Sequence, residues 1–120
     1  DELVLVDAYY PSHSKNPTVI RCDGVGGAEL LDGIMALMNP DDYVAAPIIM
    51  MEPANGDPLD PSVEADFRAA IDRHWPKTPA IVKIDRQSFV LRSAEAFAIV
   101  QTGEMRKYGN IIIKKGVIPL

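Results

Sequence analysis

The sequence predicts one α/β domain of three layers, a largely parallel central sheet covered by helices on both faces. Two observations carry this. Short β-prone runs alternate along the chain with stretches whose apolar residues recur at helical spacing, the pattern of strands joined by crossover helices. The first run, Leu3-Val4-Leu5-Val6, is continuously apolar, which marks a strand buried on both faces. Length sets the domain count: 120 residues with 48% hydrophobic content suit a single core spanning 1–120.

The elements follow in order. Leu3 to Val6 is the first strand, and Tyr9 to Pro17 (YYPSHSKNP) reads as a loop by its Pro, Ser and Asn content. Val19 to Arg21 is a short extended piece closed by Asp23-Gly24. Ala28 to Met38 places Leu30, Leu31, Ile34, Leu37 and Met38 at helical spacing, with Asn39-Pro40 as the stop. Val44 to Met51 is a buried strand. Glu52 to Pro61 is rich in turn residues, and Asp60-Pro61 supplies an N-cap and first helical position. The helix Ser62 to His74 carries Val63, Phe67, Ala70 and Ile71 on one face. A strand at Ala80 to Ile84, a helix at Gln87 to Ala96, and strands at Phe97 to Val100 and Asn110 to Lys114 complete the chain.

Charge and composition narrow the function. The net charge is −5 and the basic residues are scattered, which disfavours nucleic acid or an anionic membrane as partner. The single cysteine, Cys22, has no internal disulfide partner, the usage of a cytoplasmic protein. The longest apolar run, Val44 to Met51, contains Pro47 and is too short to span a bilayer. No secretory leader opens the chain. The first strand begins at Asp1-Glu2 without a lead-in, so residues upstream are expected.

Several residues could carry chemistry. Between the apolar runs Phe97–Val100 and Ile111–Ile113 lies a polar interlude with Thr102, Glu104, Arg106, Lys107, Tyr108 and Asn110. Polar side chains held between rigid strands make a small-molecule site; the alternative is a solvated hairpin. Asp7 follows the first strand and Asp85-Arg86 follows the Ala80–Ile84 strand, where ligands of parallel sheets bind. If those strands are neighbours, a carboxylate and a guanidinium face one crevice; otherwise Asp7 caps a turn and Arg86 is solvated. Gly24-Val25-Gly26-Gly27 lacks the spacing of a phosphate loop and reads as a turn. His13 and His74, the only histidines, and Cys22 show no metal-ligand spacing. His74 fits a helix C-terminus, and His13, near Asp7, is the better candidate for a site.

A resemblance covers essentially the whole chain. It rests on Asp7-Ala8 with Pro11-Ser12-His13-Ser14, on Val19-Ile20-Arg21 with Asp23-Gly24, and on Pro47 to Met51. Gly56-Asp57 with Leu59-Asp60-Pro61, Ala96 to Val100, Thr102-Gly103-Glu104, Lys107 to Asn110 and Lys114 to Val117 continue it in order. These segments resemble the L-fucose mutarotase / D-ribose pyranase family, and the Pro-Ser-His-Ser loop, the Met-Met strand and the Tyr-Gly-Asn ending are more similar to its fucose arm.

The resemblance implies anomer interconversion of a free monosaccharide through its open-chain aldehyde, with no cofactor and no metal. Ring opening needs a proton delivered to the ring oxygen and one removed from the anomeric hydroxyl, which general acids and bases supply. By the resemblance, Asp7, Arg86, Tyr108, Gly109 and Asn110 are substrate-binding positions and His13 is a possible substrate contact. The family's proton-transferring histidine belongs to a Gly-His motif two positions before Asp1, so the catalytic residue is unassigned here and a truncated chain is expected. A homo-oligomer, a decamer with sites at subunit interfaces, is also implied. The apolar Ile111-Ile112-Ile113 and Val117-Ile118 would give it surface to cover. The other readings are a D-ribose pyranase and, without the histidine, a non-catalytic sugar-binding module.

Overall fold

The computed structural model describes residues 1–117. Six strands form one sheet in the order β2-β5-β1-β6-β3-β4. In chain order the elements are β1 (Glu2–Val6), α1 (Ser12–Lys15), β2 (Val19–Cys22), α2 (Gly27–Met35) and β3 (Ile48–Met51). They continue with α3 (Pro61–Asp72), β4 (Val82–Ile84), α4 (Arg86–Glu95), β5 (Ala98–Thr102) and β6 (Ile111–Lys114). β6 runs antiparallel to β1 and β3, and every other pairing is parallel. The expected three-layer α/β architecture with a largely parallel sheet is therefore what the chain forms.

The continuous apolar runs are explained by their two-sided burial. Leu5, Ile48, Met50, Val100, Ile111 and Ile113 pack with α2 and α3 through Leu31, Met35, Val63, Phe67 and Ile71. Their neighbours Val4, Val6, Ile49, Met51, Ile99 and Ile112 point to the other face, against Phe89 of α4 and Tyr10. Successive strand side chains alternate faces, so a strand covered on both sides must be apolar at every position. Two helices start as their caps dictate. Asp60 accepts the Ser62 N–H at 2.9 Å ahead of Pro61, and Asp85 accepts the Ser88 N–H at 3.0 Å.

Several expectations need correction. Tyr9–Pro17 is not all loop, because Ser12–Lys15 form a helical turn closed by the Asn16 N–H donating to the Ser12 carbonyl at 3.1 Å. The helix expected to Met38 ends at Met35, and Leu37 beyond it is 89% exposed rather than on the buried face. The strand expected from Val44 starts at Ile48, since Pro47 has no N–H to enter a ladder. β5 and β6 do not pair as a hairpin; β1 lies between them. Ile111, Ile112 and Ile113 are fully buried within the domain and offer no surface to a neighbour. Val117 is exposed, and Ile118 lies outside the described residues. Among the described residues no helix is long and apolar enough to cross a membrane.

Candidate functional site

The carboxyl ends of β1, β3, β4 and β5 lie on one edge of the sheet, together with the start of antiparallel β6. A cavity of about 380 Å³ opens there, lined by Asp7, Tyr10, Asp57, Arg86, Tyr108 and Asn110 among others. β1 and β4 are not neighbours, because β6 and β3 intervene. Asp7 and Arg86 nevertheless share the cavity, since Arg86 opens α4 and lines it from that side.

Asp7 and Asn110 are the most enclosed of these groups, each at 4% exposure, and Asp7 is held from several sides. Its backbone N–H donates to Asn110 Oδ1 at 2.8 Å, and its carboxylate accepts the Tyr9 N–H at 3.0 Å. Its carbonyl oxygen accepts from Gln101 Nε2, and Gln101 Oε1 in turn accepts from Ser12 Oγ. One residue on, the Ala8 N–H donates to the Glu104 carbonyl at 2.8 Å. The turn after β1 is thus locked to the segment after β5. Burial pushes the Asp7 carboxyl above its ordinary pKa, against the pull of N–H groups from Tyr9, Tyr10, Tyr108 and Gly109. A carboxyl so placed can accept a hydrogen bond, and it takes up a proton at a higher pH than an ordinary aspartate.

The Glu104–Asn110 segment is built around a buried carboxylate. Glu104 accepts from the Arg106 backbone N–H at 3.1 Å and from its guanidinium at 3.0 and 2.8 Å. Arg106 reaches on to Ser62 and Asp66 of α3, both at 2.8 Å. The guanidinium holds the Glu104 carboxyl below its usual range. Gly109 packs on this side chain: a Cβ there would lie 2.6 Å from Glu104 Cγ. The resemblance implies Gly109 as a substrate-binding position, and the nearest neighbour that a Cβ there would meet is the Glu104 side chain.

Tyr108 has a left-handed backbone, φ 63°, and lines the cavity. Its hydroxyl donates to Asp57 and accepts the Ala54 N–H at 3.1 Å. The Asp57 carboxylate raises the phenol pKa. Arg86 is exposed at the rim, and among the described residues its guanidinium forms no hydrogen bond or ion pair. It is therefore available to an oxygen-rich ligand. Tyr10 lines the inner wall, its ring edge-on to Phe89 at 6.3 Å and its hydroxyl on Ser93 at 2.6 Å.

Other sequence candidates lie elsewhere. His13 is exposed on α1, its Nε2 3.2 Å from Arg21, and faces a separate cavity with Arg21 and Gln101. His74 bridges to Asp32 of α2 at 2.9 Å in the opposite helical layer. The Gly24–Gly27 segment is a turn into α2, where a Cβ on Gly27 would lie 3.1 Å from the Phe67 ring. Among the described residues no His, Cys, Asp or Glu cluster is placed to hold a metal ion. Sequence reasoning missed Asp57 and Tyr10. The rule that singled out Asp7 and Arg86, position just after a parallel strand, applies equally to the loop after β3 that carries Asp57.

Comparison with known proteins places these features in context. Residues 1–118 match the RbsD / FucU transport protein family. An L-fucose mutarotase of Actinobacillus pleuropneumoniae serotype 5b is 53% identical over 120 residues, covering 100% of this chain and 83% of that protein. The crystal structure of the fucose mutarotase from Streptococcus pneumoniae in complex with L-fucose superposes with a TM-score of 0.92 at 45% identity, covering 99% of this chain and 84% of the other. FucU from Bifidobacterium longum gives 0.94 at 31% identity, covering 99% and 85%. Bacillus subtilis RbsD complexed with D-ribose shares the fold, with a TM-score of 0.74 at 19% identity over 99% of this chain and 84% of the other.

Proposed function

The chain belongs to the RbsD / FucU transport protein family, and we propose that it is an L-fucose mutarotase, an isomerase interconverting the α and β anomers of the sugar by acid/base-assisted ring opening and closure. One observation carries the reading: Asp7, Arg86, Tyr108 and Asn110, drawn from three separate parts of the sequence, line one cavity at the carboxyl edge of the sheet. The relative crystallised with L-fucose is 45% identical to this chain, and the curated relative 53% identical acts as an L-fucose mutarotase.

The residues present suit a polyhydroxylated, uncharged ligand. Asp7 accepts from a sugar hydroxyl and, with its raised pKa, exchanges a proton more readily near neutral pH than an ordinary carboxylate. Arg86 donates to ring or hydroxyl oxygens from a fixed fork. Asn110, whose Oδ1 already accepts from Asp7, donates through its amide N–H groups. Tyr108 and Tyr10 offer aromatic faces to the sugar's C–H surface. Gly109 keeps the segment tight against Glu104. By family resemblance the main proton transfer falls to a histidine ahead of Asp1, so these residues bind, orient and assist. His13 is a substrate contact in this reading only if a rearranged loop or a second subunit brings it to the sugar.

The assembly in this reading is a homo-oligomer, a decamer of stacked rings whose sites lie at subunit interfaces, in the cytoplasm. Exposed Tyr9 at the cavity rim and exposed Ile20 on edge strand β2 support the first part. The unpaired thiol of Cys22 supports the second. Sedimentation velocity of the full-length protein at micromolar concentration tests the assembly; a sole monomeric species that still catalyses exchange would exclude shared sites. Exchange NMR with L-fucose and with D-ribose tests the activity. Faster anomer exchange of L-fucose supports the proposal, exchange confined to D-ribose replaces it with a pyranase, and binding without exchange leaves a sugar-binding module.

A further inference from the structure

Two backbone segments in uncommon conformations meet over the sugar cavity. One is the turn between β3 and α3, where Asn55 (φ 25°) and Gly56 (φ 78°) both have positive φ and the Asp57 N–H donates to the Ala54 carbonyl at 2.8 Å. The other is Tyr108, with φ 63°. Positive φ is uncommon for residues with side chains and persists where surrounding contacts over-determine it. Here the contacts are two hydrogen bonds on one oxygen: the Tyr108 hydroxyl donates to Asp57 and accepts the Ala54 N–H at 3.1 Å. The base of the turn is anchored separately, by the Glu52 N–H on the Ile84 carbonyl at 2.8 Å.

We propose that Asp57 is a positioning residue of this site, fixing the Tyr108 phenol as one wall of the cavity and committing that phenol to accept, not donate, a hydrogen bond from the bound sugar. A phenol has one O–H and two lone pairs. The O–H is taken by Asp57 and one lone pair by Ala54, which leaves a single lone pair for a sugar hydroxyl. Tyr108 is then not the acid that protonates the ring oxygen. The inference deepens the sugar-site reading above and rests on it for the identity of the ligand.

The charged groups around the phenol are Asp57, Arg86, Asp7 and Lys107, all lining the same cavity. The Asp57 anion raises the phenol pKa and Arg86 lowers it, so removing the anion shifts the ionisation downward. That shift is a readout a purely structural role for Asp57 would not move.

The test uses the full-length protein and the variants Asp57→Ala, Asp57→Asn, Tyr108→Phe and the Asp57→Ala/Tyr108→Phe double substitution. L-fucose affinity is measured by calorimetry and the Tyr108 ionisation by ultraviolet difference titration against Tyr108→Phe. Asp57→Ala is expected to weaken binding roughly tenfold in the wild-type background and less than about twofold when Tyr108 is already Phe. Asp57→Asn keeps an acceptor, so it recovers most of the affinity while still lowering the phenol pKa. Equal losses of affinity in both backgrounds, or a phenol titration unmoved by either Asp57 substitution, would overturn the proposal. Wild-type protein that fails to bind L-fucose removes the functional reading instead, and the phenol titration then decides the clamp alone.

Discussion

The backbone N–H of Asp7 donates to the side-chain oxygen of Asn110 at 2.8 Å, joining two buried residues that lie 103 positions apart. β1 and β6 pair with Leu5 opposite Ile111, so the chain leaves one strand and enters the other side by side at the cavity floor. One side chain therefore completes the backbone of the site and also lines the cavity, where the proposed function has it donate to the sugar. Removing it has two separable effects.

Asn110→Ala should lower stability by about 1–3 kcal/mol, the cost of leaving a buried N–H without a partner. It should also weaken L-fucose binding by roughly tenfold or more. Urea unfolding and calorimetric titration measure the two effects. A binding loss without a stability loss would mean that water replaces the amide at the Asp7 N–H.

Arg86 gives the opposite pattern. Its guanidinium is exposed and, among the described residues, without a hydrogen-bonding partner, so Arg86→Ala should change stability by no more than about 0.5 kcal/mol. L-fucose affinity should fall by roughly tenfold to a hundredfold, as expected for a hydrogen bond to a charged group. Arg86→Lys should recover little, because an ammonium does not reproduce the planar fork.

Burial raises the Asp7 pKa above its ordinary value of 3.8. A raised folded-state pKa means that the protonated carboxyl suits the fold better than the anion. Its contribution to stability is complete below 3.8 and is lost as pH rises through the raised value. Wild type should therefore lose stability relative to Asp7→Asn across that window and run parallel to it at higher pH. L-fucose binding should strengthen over the same window as the carboxylate forms. Stability curves of the two proteins that stay parallel from acid to neutral pH would mean that Asp7 is not held in this way.

Glu104 has the reverse sign. Its carboxyl is held low by Arg106, so it stabilises the fold above the ordinary carboxylate range and that contribution disappears as pH falls through the depressed value. Glu104→Gln should be less stable than wild type at neutral pH, and the difference should shrink on acidification. Because Gly109 packs on Glu104 and Ala8 bonds to its carbonyl, sugar affinity should fall as well. Thermal unfolding across pH, paired with calorimetry at neutral pH, reads both.

Much of this was legible in the sequence because burial on two faces leaves a plain mark. Leu3–Val6 and Ile111–Ile113 are apolar at every position, and each proves to be a central strand whose residues alternate between two cores. Asp60 announced its helix as a cap, whereas Asp85, read only as a charge following a strand, proves to cap α4. The order of strands was not legible, because nothing in Phe97–Val117 reveals that β1 inserts between β5 and β6. Leu37 had the right spacing for a buried position, but the helix had already ended at Met35. At the site, Asp7, Arg86, Tyr108 and Asn110 are brought together, while His13 faces another cavity. Asp57 was hidden because its role depends on a contact across 51 residues with a phenol in a left-handed turn.

The most direct measurement of the central claim is saturation transfer between the anomeric proton signals of L-fucose, with folded full-length protein and no added metal. The account predicts faster α–β exchange with wild type and a marked loss in Asp7→Ala, Arg86→Ala and Asn110→Ala. Exchange no faster than in buffer, or wild-type rates in all three variants, would contradict it.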